Sequence, residues 1–136
     1  MTDRETASRP VLINATPQLF VSDIVALCDF FIQTLGFGVE FIYGEPPFYA
    51  QVSRDGASLA LRHLDRAVLD RLAAAMKADV DMLAASLAVD DVMALCREFQ
   101  ATGATFNQAL RTEPWGVQTF IVTDPDGNLL LFAGST

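Results

Sequence analysis

A single histidine, His63, and two cysteines, Cys28 and Cys96, leave this chain little with which to do acid–base or nucleophilic chemistry. A Ser-His or Cys-His arrangement would have to use His63. In "ASLALRHL" that residue shares strand parity with Leu59 and Leu61, which places it on their side of a strand and at its end. One imidazole without converging carboxylates makes a poor metal site. The cysteines read as core residues. Cys28 completes an i, i+3, i+4, i+7 stripe with Ile24, Leu27 and Phe31, and Cys96 does the same with Val92, Leu95 and Phe99. The sequence holds no Gly-rich phosphate cradle, no cysteine pair at zinc spacing and no nucleophile elbow. What remains is binding chemistry. The stretch "RTEPWG" offers an acid, Glu113, and an indole, Trp115, and an indole is a flat surface on which a ligand ring can stack.

The elements that position these residues come in two copies. "DIVALCDFF" (Asp23 to Phe31) returns half a chain length later as "DVMALCREF" (Asp91 to Phe99), with five of nine positions identical. Each copy opens on an aspartate placed to cap a helix, and each is followed by a glycine, Gly36 or Gly103, placed to end it. After the first come "FGVEFIYG", "FYAQVSRDG" and "ASLALRHL"; after the second come "TFNQALRT", "VQTFIVTDPDG" and "NLLLFAG". These are strand-like runs separated by Gly or Asp-Gly signals. A further strand-like run precedes each helix, "VLINATPQLFV" and "DMLAASLAV". The chain therefore reads as an α+β fold of two pseudo-symmetric β-α-β-β-β repeats forming a curved mixed sheet around a shared trough, since one helix covers only one face of a four-stranded sheet.

We expect one domain over residues 1–136, with the first repeat at about 11–63, a linker helix at about 65–79 and the second repeat at about 81–133. The linker's apolar stripe is Val68, Leu72, Ala75 and Met76. The polar first ten residues read as an arm that reaches a partner subunit or stays free.

With 9 basic and 17 acidic residues the formal charge is −8, which argues against nucleic acid and is compatible with a cationic ligand. No run approaches the roughly 20 apolar residues of a membrane span, and "MTDRETASRP" is too polar for a signal peptide, so the expected location is cytoplasmic, with no membrane partner.

The ordered set of "VSD" before the first helix, "LGF" after it, "VDD" before the second and the closing "PWGVQTFIVTDPDGNLLLF" resembles the vicinal oxygen chelate superfamily. That superfamily includes glyoxalase I, extradiol dioxygenases and the fosfomycin and bleomycin resistance proteins. The resemblance covers about residues 11 to 133. Its enzymes hold one divalent metal in the trough with His, Glu or Gln from four strands. Carried over, those positions are Thr16, Ala60, Ala84 and Leu131. Three are aliphatic and none is a carboxylate or imidazole, the donors such an ion requires. The resemblance thus implies the branch of small acidic dimers that bind and sequester a cationic drug without modifying it. We expect no cofactor, no metal and no catalytic residue. A homodimer binding a small organic ligand is the leading reading, with sequestration of the bleomycin resistance type as its function. The alternatives are a metal-dependent lyase or dioxygenase of the same superfamily with ligands elsewhere, such as His63 with Glu113, and an interaction module whose pocket is packed shut by Phe20, Trp115 and Phe120.

If Ala60 faces the trough, so does Arg62; Gln18 and Phe20 share parity with Thr16. In "FYAQVSRDG" the apolar set Phe48, Ala50 and Val52 is expected against the helix, leaving Tyr49 and Gln51 for the cavity. The expected ligand-binding set is therefore Gln18, Phe20, Tyr49, Gln51, Arg62, Glu113 and Trp115. Arg62 in a trough calls for a carboxylate or phosphate, from the ligand or from Glu113.

Overall fold

The computed structural model describes residues 9–75 and 82–135. The first repeat is β1 (Gln18–Val21), α1 (Ile24–Gln33), β2 (Gly38–Tyr43), β3 (Tyr49–Arg54) and β4 (Ala57–His63). A linking helix α2 (Arg66–Ala75) follows, and then β5 (Leu83–Ala88), α3 (Val92–Ala101), β6 (Thr105–Thr112), β7 (Gln118–Thr123) and β8 (Leu129–Gly134). Each repeat closes its own four-stranded sheet, in the orders β1-β4-β3-β2 and β5-β8-β7-β6. The first strand of each runs parallel to the last and the remaining pairs are antiparallel, so both sheets are mixed.

The repeated helix does the same work twice. Asp23 accepts from the Ala26 amide at 3.1 Å and Asp91 from the Ala94 amide at 3.0 Å, each satisfying one of the donors that a first turn leaves unpaired. Both predicted stripes are buried in full: Ile24, Leu27, Cys28 and Phe31 on α1, and Val92, Leu95, Cys96 and Phe99 on α3. Past each helix the chain turns at a glycine of positive φ, +73° at Gly36 and +83° at Gly103, where a Cβ would be strained. Behind α1 lie Leu19, Val21, Ala50, Val52, Leu59 and Leu61; behind α3 lie Leu87, Phe120, Val122, Leu130 and Phe132. One continuous apolar core joins the two sets. The aromatic part is tight, with Phe120 stacked on Phe132 at 5.2 Å and both near the Phe99 ring.

Three polar ties reinforce the junction between repeats. The Thr102 hydroxyl donates to the Thr34 carbonyl at 2.7 Å, joining the C-terminal ends of α1 and α3. Arg54 grips Glu98 with two nitrogens at 2.7 and 3.0 Å. The third tie is made by the "DPDGN" stretch. Asp124 is buried and uses its carboxylate to accept from the Asp126 and Asn128 amides at 2.8 Å, which fixes the turn. That turn presents Asp126 to the first repeat and the linking helix, where its oxygens accept from the Ser22 amide (2.8 Å), the Ser22 hydroxyl (2.9 Å) and Arg66 of α2 (2.7 Å). Asn128 donates to the Phe20 carbonyl at 3.1 Å.

Three local expectations are corrected. The strand-like run before α1 pairs only from Gln18, and Val11, Leu12 and Ile13 stand 81, 97 and 90% exposed. Helix α2 buries none of its side chains, so the Val68, Leu72 and Ala75 stripe has no core beneath it; Met76 lies outside the described residues. Phe48 does not join Ala50 and Val52 against α1. It precedes β3 and packs its ring edge-on to Tyr43 at 5.6 Å, half exposed. No helix among the described residues is long and apolar enough to cross a membrane.

Candidate functional site

Each sheet has one face on its helix and one face open. On the first sheet the open face is laid out in register rows. Gln18, Ala60, Gln51 and Phe41 form one row, and Phe20, Arg62, Tyr49 and Tyr43 the next. Phe41 arrives there through a register shift in β2 between Val39 and Phe41. The shift leaves Glu40 as the extra residue, and the Ser53 hydroxyl donates to its carboxylate. Phe41 then lies against Tyr49, ring centroids 5.8 Å apart. Phe20, Phe41 and Tyr43 are 42, 44 and 66% exposed, so this face presents uncovered aromatic side chains among Gln18, Gln51 and Arg62. Arg62 is exposed, and among the described residues no hydrogen bond or ion pair engages it.

The second sheet carries a cavity of about 690 Å³ on its open face. Its floor is Leu131, Ile121 and Ala133, with Leu83 and Val117 at the ends. Its polar wall is built by β6, and two register shifts in that strand are what build it. Simple alternation along "TFNQALRT" would put Gln108 on one face and Arg111 on the other. The shifts set Gln108 opposite Ile121 and Arg111 opposite Thr119, so both line the same cavity. Gln108 also mends the interruption, its side-chain amide donating to the Thr119 hydroxyl at 3.0 Å and to the Thr119 carbonyl at 3.3 Å.

Glu113 and Trp115 enter on a tight turn. The Gly116 amide donates to the Glu113 carbonyl at 2.9 Å, Pro114 occupies the position where a fixed φ favours the turn, and Gly116 has φ +101°. The turn lifts Trp115 to 73% exposure above the cavity and folds Glu113 down to 8%. A buried carboxylate needs partners. One oxygen, Oε2, accepts from the Thr119 hydroxyl at 2.7 Å and from Arg111 Nε at 3.0 Å. The Thr119 bond first, then Arg111, hold Glu113 below the usual carboxylate range, so it stays ionised near neutral pH. Arg62, on the other sheet, takes no part.

The seven expected binding residues thus fall into two groups. Gln18, Phe20, Tyr49, Gln51 and Arg62 share the open face of the first sheet; Glu113 and Trp115 line the cavity of the second. Arg111, Gln108 and Thr119 escaped the sequence reading. The only signal available was the polar run around "NQ" and "RT", which carries no register. His63 sits at the end of β4 with Nε2 3.2 Å from Asp65 Oδ1, apart from the cavity. The pocket is not packed shut: Phe20 and Trp115 are exposed, and Phe120 lies in the core behind the sheet.

The residues do not fit a metal of the superfamily's kind. Ala60 and Leu131 sit at matching places in their sheets, opposite Gln18 and Ser86 respectively, and neither offers a donor atom. Ala84 falls at a register shift in β5, and Thr16 precedes β1. Among the described residues no group of three His, Cys, Asp or Glu could hold an ion. Glu113 is the single carboxylate lining the cavity, and among the described residues no second carboxylate, imidazole or thiolate stands beside it there to complete a site.

Solved structures share this architecture. A bleomycin resistance determinant encoded on the transposon Tn5 is 23% identical, with 91% of this chain and 98% of that one aligned at a TM-score of 0.73. The bleomycin-binding protein of Streptomyces verticillus, complexed with copper(II)-bleomycin, is 24% identical over 93% and 99%, TM-score 0.71. A glyoxalase-related enzyme from Clostridium phytofermentans is 17% identical over 95% and 99%, TM-score 0.72. At these identities the likeness is one of fold. A search of curated protein sequences found no match. The model of the Glyoxalase/Bleomycin resistance protein/Dioxygenase superfamily matches residues 13–132, nearly the whole of both repeats, and the chain belongs to that superfamily.

Proposed function

We propose that this protein is a cytoplasmic homodimer that binds and sequesters a small organic molecule without transforming it, in the manner of the bleomycin-binding relatives. The observation that carries the reading is the second-sheet cavity. It is large enough for a drug-sized ligand, apolar at its floor, bordered by a few fixed polar groups and topped by an exposed indole. The aliphatic residues at the superfamily's metal positions support binding without metal chemistry.

Two features support a second copy. The first sheet's open face exposes Phe20, Phe41 and Tyr43, an uncovered aromatic patch of the kind that marks a contact surface. The stretch Val11 to Ile13 is equally exposed just before β1. A partner subunit would cover both and bring Gln18, Phe20, Tyr49, Gln51 and Arg62 toward a cavity wall.

The test is titration with bleomycin, metal-free and copper-loaded, followed by the emission of Trp115, the chain's single tryptophan, and by calorimetry. Saturable binding near one site per subunit, at micromolar affinity or tighter, is the expected result. No heat and no spectral change would reject bleomycin sequestration.

A further inference from the structure

The charge that the second-sheet cavity shows a ligand is positive, although the protein as a whole carries −8. Glu113 is the cavity's one carboxylate. It is 8% exposed; its Oε2 already accepts from Thr119 and Arg111, and Oε1 takes no hydrogen bond among the described residues. Arg111 is in the opposite position. Its side chain is 60% exposed and only Nε is engaged, so the two terminal nitrogens keep four N–H donors with no partner among the described residues. The Glu113 bond holds the guanidinium through Nε and leaves the terminal nitrogens unengaged on a cavity-lining side chain. The other polar groups of the wall are neutral amides and hydroxyls.

A ligand cation approaching this wall meets a guanidinium side chain that is 60% exposed, beside a carboxylate that is only 8% exposed. A carboxylate meets a pre-oriented fork whose spacing matches its two oxygens. We infer that this cavity selects a flat ligand bearing an anionic group, a carboxylate or one of like geometry, which Arg111 binds through its terminal nitrogens while Trp115 stacks on the ring; this rests on the small-molecule-binding reading of the same cavity. Arg111 is then a specificity-determining residue, and the protein's overall acidity is no guide to the charge of its ligand.

One ring in three charge states tests this: 2-naphthoate, 2-naphthamide and 2-naphthylmethylammonium, each titrated against Trp115 emission at pH 7 in low salt. The wild-type protein is expected to bind naphthoate about tenfold tighter than the amide, in line with one charge-assisted pair, and the ammonium weakest of the three. Arg111→Gln should abolish the preference for naphthoate over naphthamide, with Arg111→Lys in between. The wild-type ranking stands without any variant. Equal binding of all three probes, or tightest binding of the ammonium, overturns the anion preference and leaves the cavity a binding site. No response to any probe overturns the cavity assignment, and the anion preference with it.

Discussion

Removing the Asp126 carboxylate should cost this fold about 3 kcal/mol, although the residue is far from the cavity wall. The side chain is 2% exposed and makes three bonds across the repeat junction. In Asp126→Ala the Ser22 amide loses its acceptor where water has poor access, and an unpaired buried donor costs about 1–3 kcal/mol. The Ser22 hydroxyl can rotate toward other acceptors, so its loss is about 0.5–1 kcal/mol. Arg66 is 58% exposed and its ion pair is largely solvated, contributing at most about 1 kcal/mol. A partial offset comes from Asp124, whose carboxyl is pushed up mainly by burial and in small part by the Asp126 charge that the substitution removes. With a urea slope near 2 kcal/mol/M, typical of a small domain, the unfolding midpoint should fall by about 1.5 M at fixed protein concentration. Arg66→Ala should lower it by less than about 0.5 M, because it leaves both Ser22–Asp126 bonds in place and removes only solvated contacts of an exposed side chain. A midpoint shift in Asp126→Ala no larger than that of Arg66→Ala would refute the assignment of the energy to the part-buried Ser22 amide.

Other outcomes follow from the same geometry. Trp115→Ala should weaken binding of a cavity ligand by more than about 1 kcal/mol, since an exposed aromatic over an apolar floor is where such energy concentrates; unchanged affinity by calorimetry would move the site elsewhere. Glu113 and Glu98 are both held below their ordinary range, the first by Thr119 and Arg111 and the second by Arg54. Their contribution is full above the unfolded glutamate value of about 4.3 and is lost as pH falls through the lower folded values. Glu113→Gln should therefore flatten the acid limb of urea midpoint against pH, and an unaltered limb would contradict the hydrogen-bond geometry. Asp124 works in the opposite direction, because its raised carboxyl favours the folded state as pH drops. In sedimentation velocity the wild type should run at about twice its 14.8 kDa chain mass, and Phe41→Asp should shift it toward monomer; a wild-type monomer at tens of micromolar would remove the dimer.

The sequence by itself determined whatever depends on near neighbours. The two helices, their aspartate caps, their glycine stops and the four-residue stripe that each buries follow from contacts within about one turn, and all appear as read. The alternation of β3 and β4 also survives, with Ala50, Val52, Leu59 and Leu61 in the core and Tyr49 and Gln51 on the open face, because neither strand is interrupted. Tertiary structure decided what depends on register and on partners distant in sequence. The shifts in β2 and β6 reverse alternation partway along a strand, bringing Phe41 beside Tyr49 and placing Arg111 on the same wall as Gln108. No local pattern encodes such a shift, since it is fixed by which residues of the neighbouring strand are already paired. The partner of Glu113 was equally undecided in the chain. Strand parity pointed to Arg62, whereas Arg111, in the same sheet as Glu113's partner Thr119 and held opposite it, is the one that reaches Glu113.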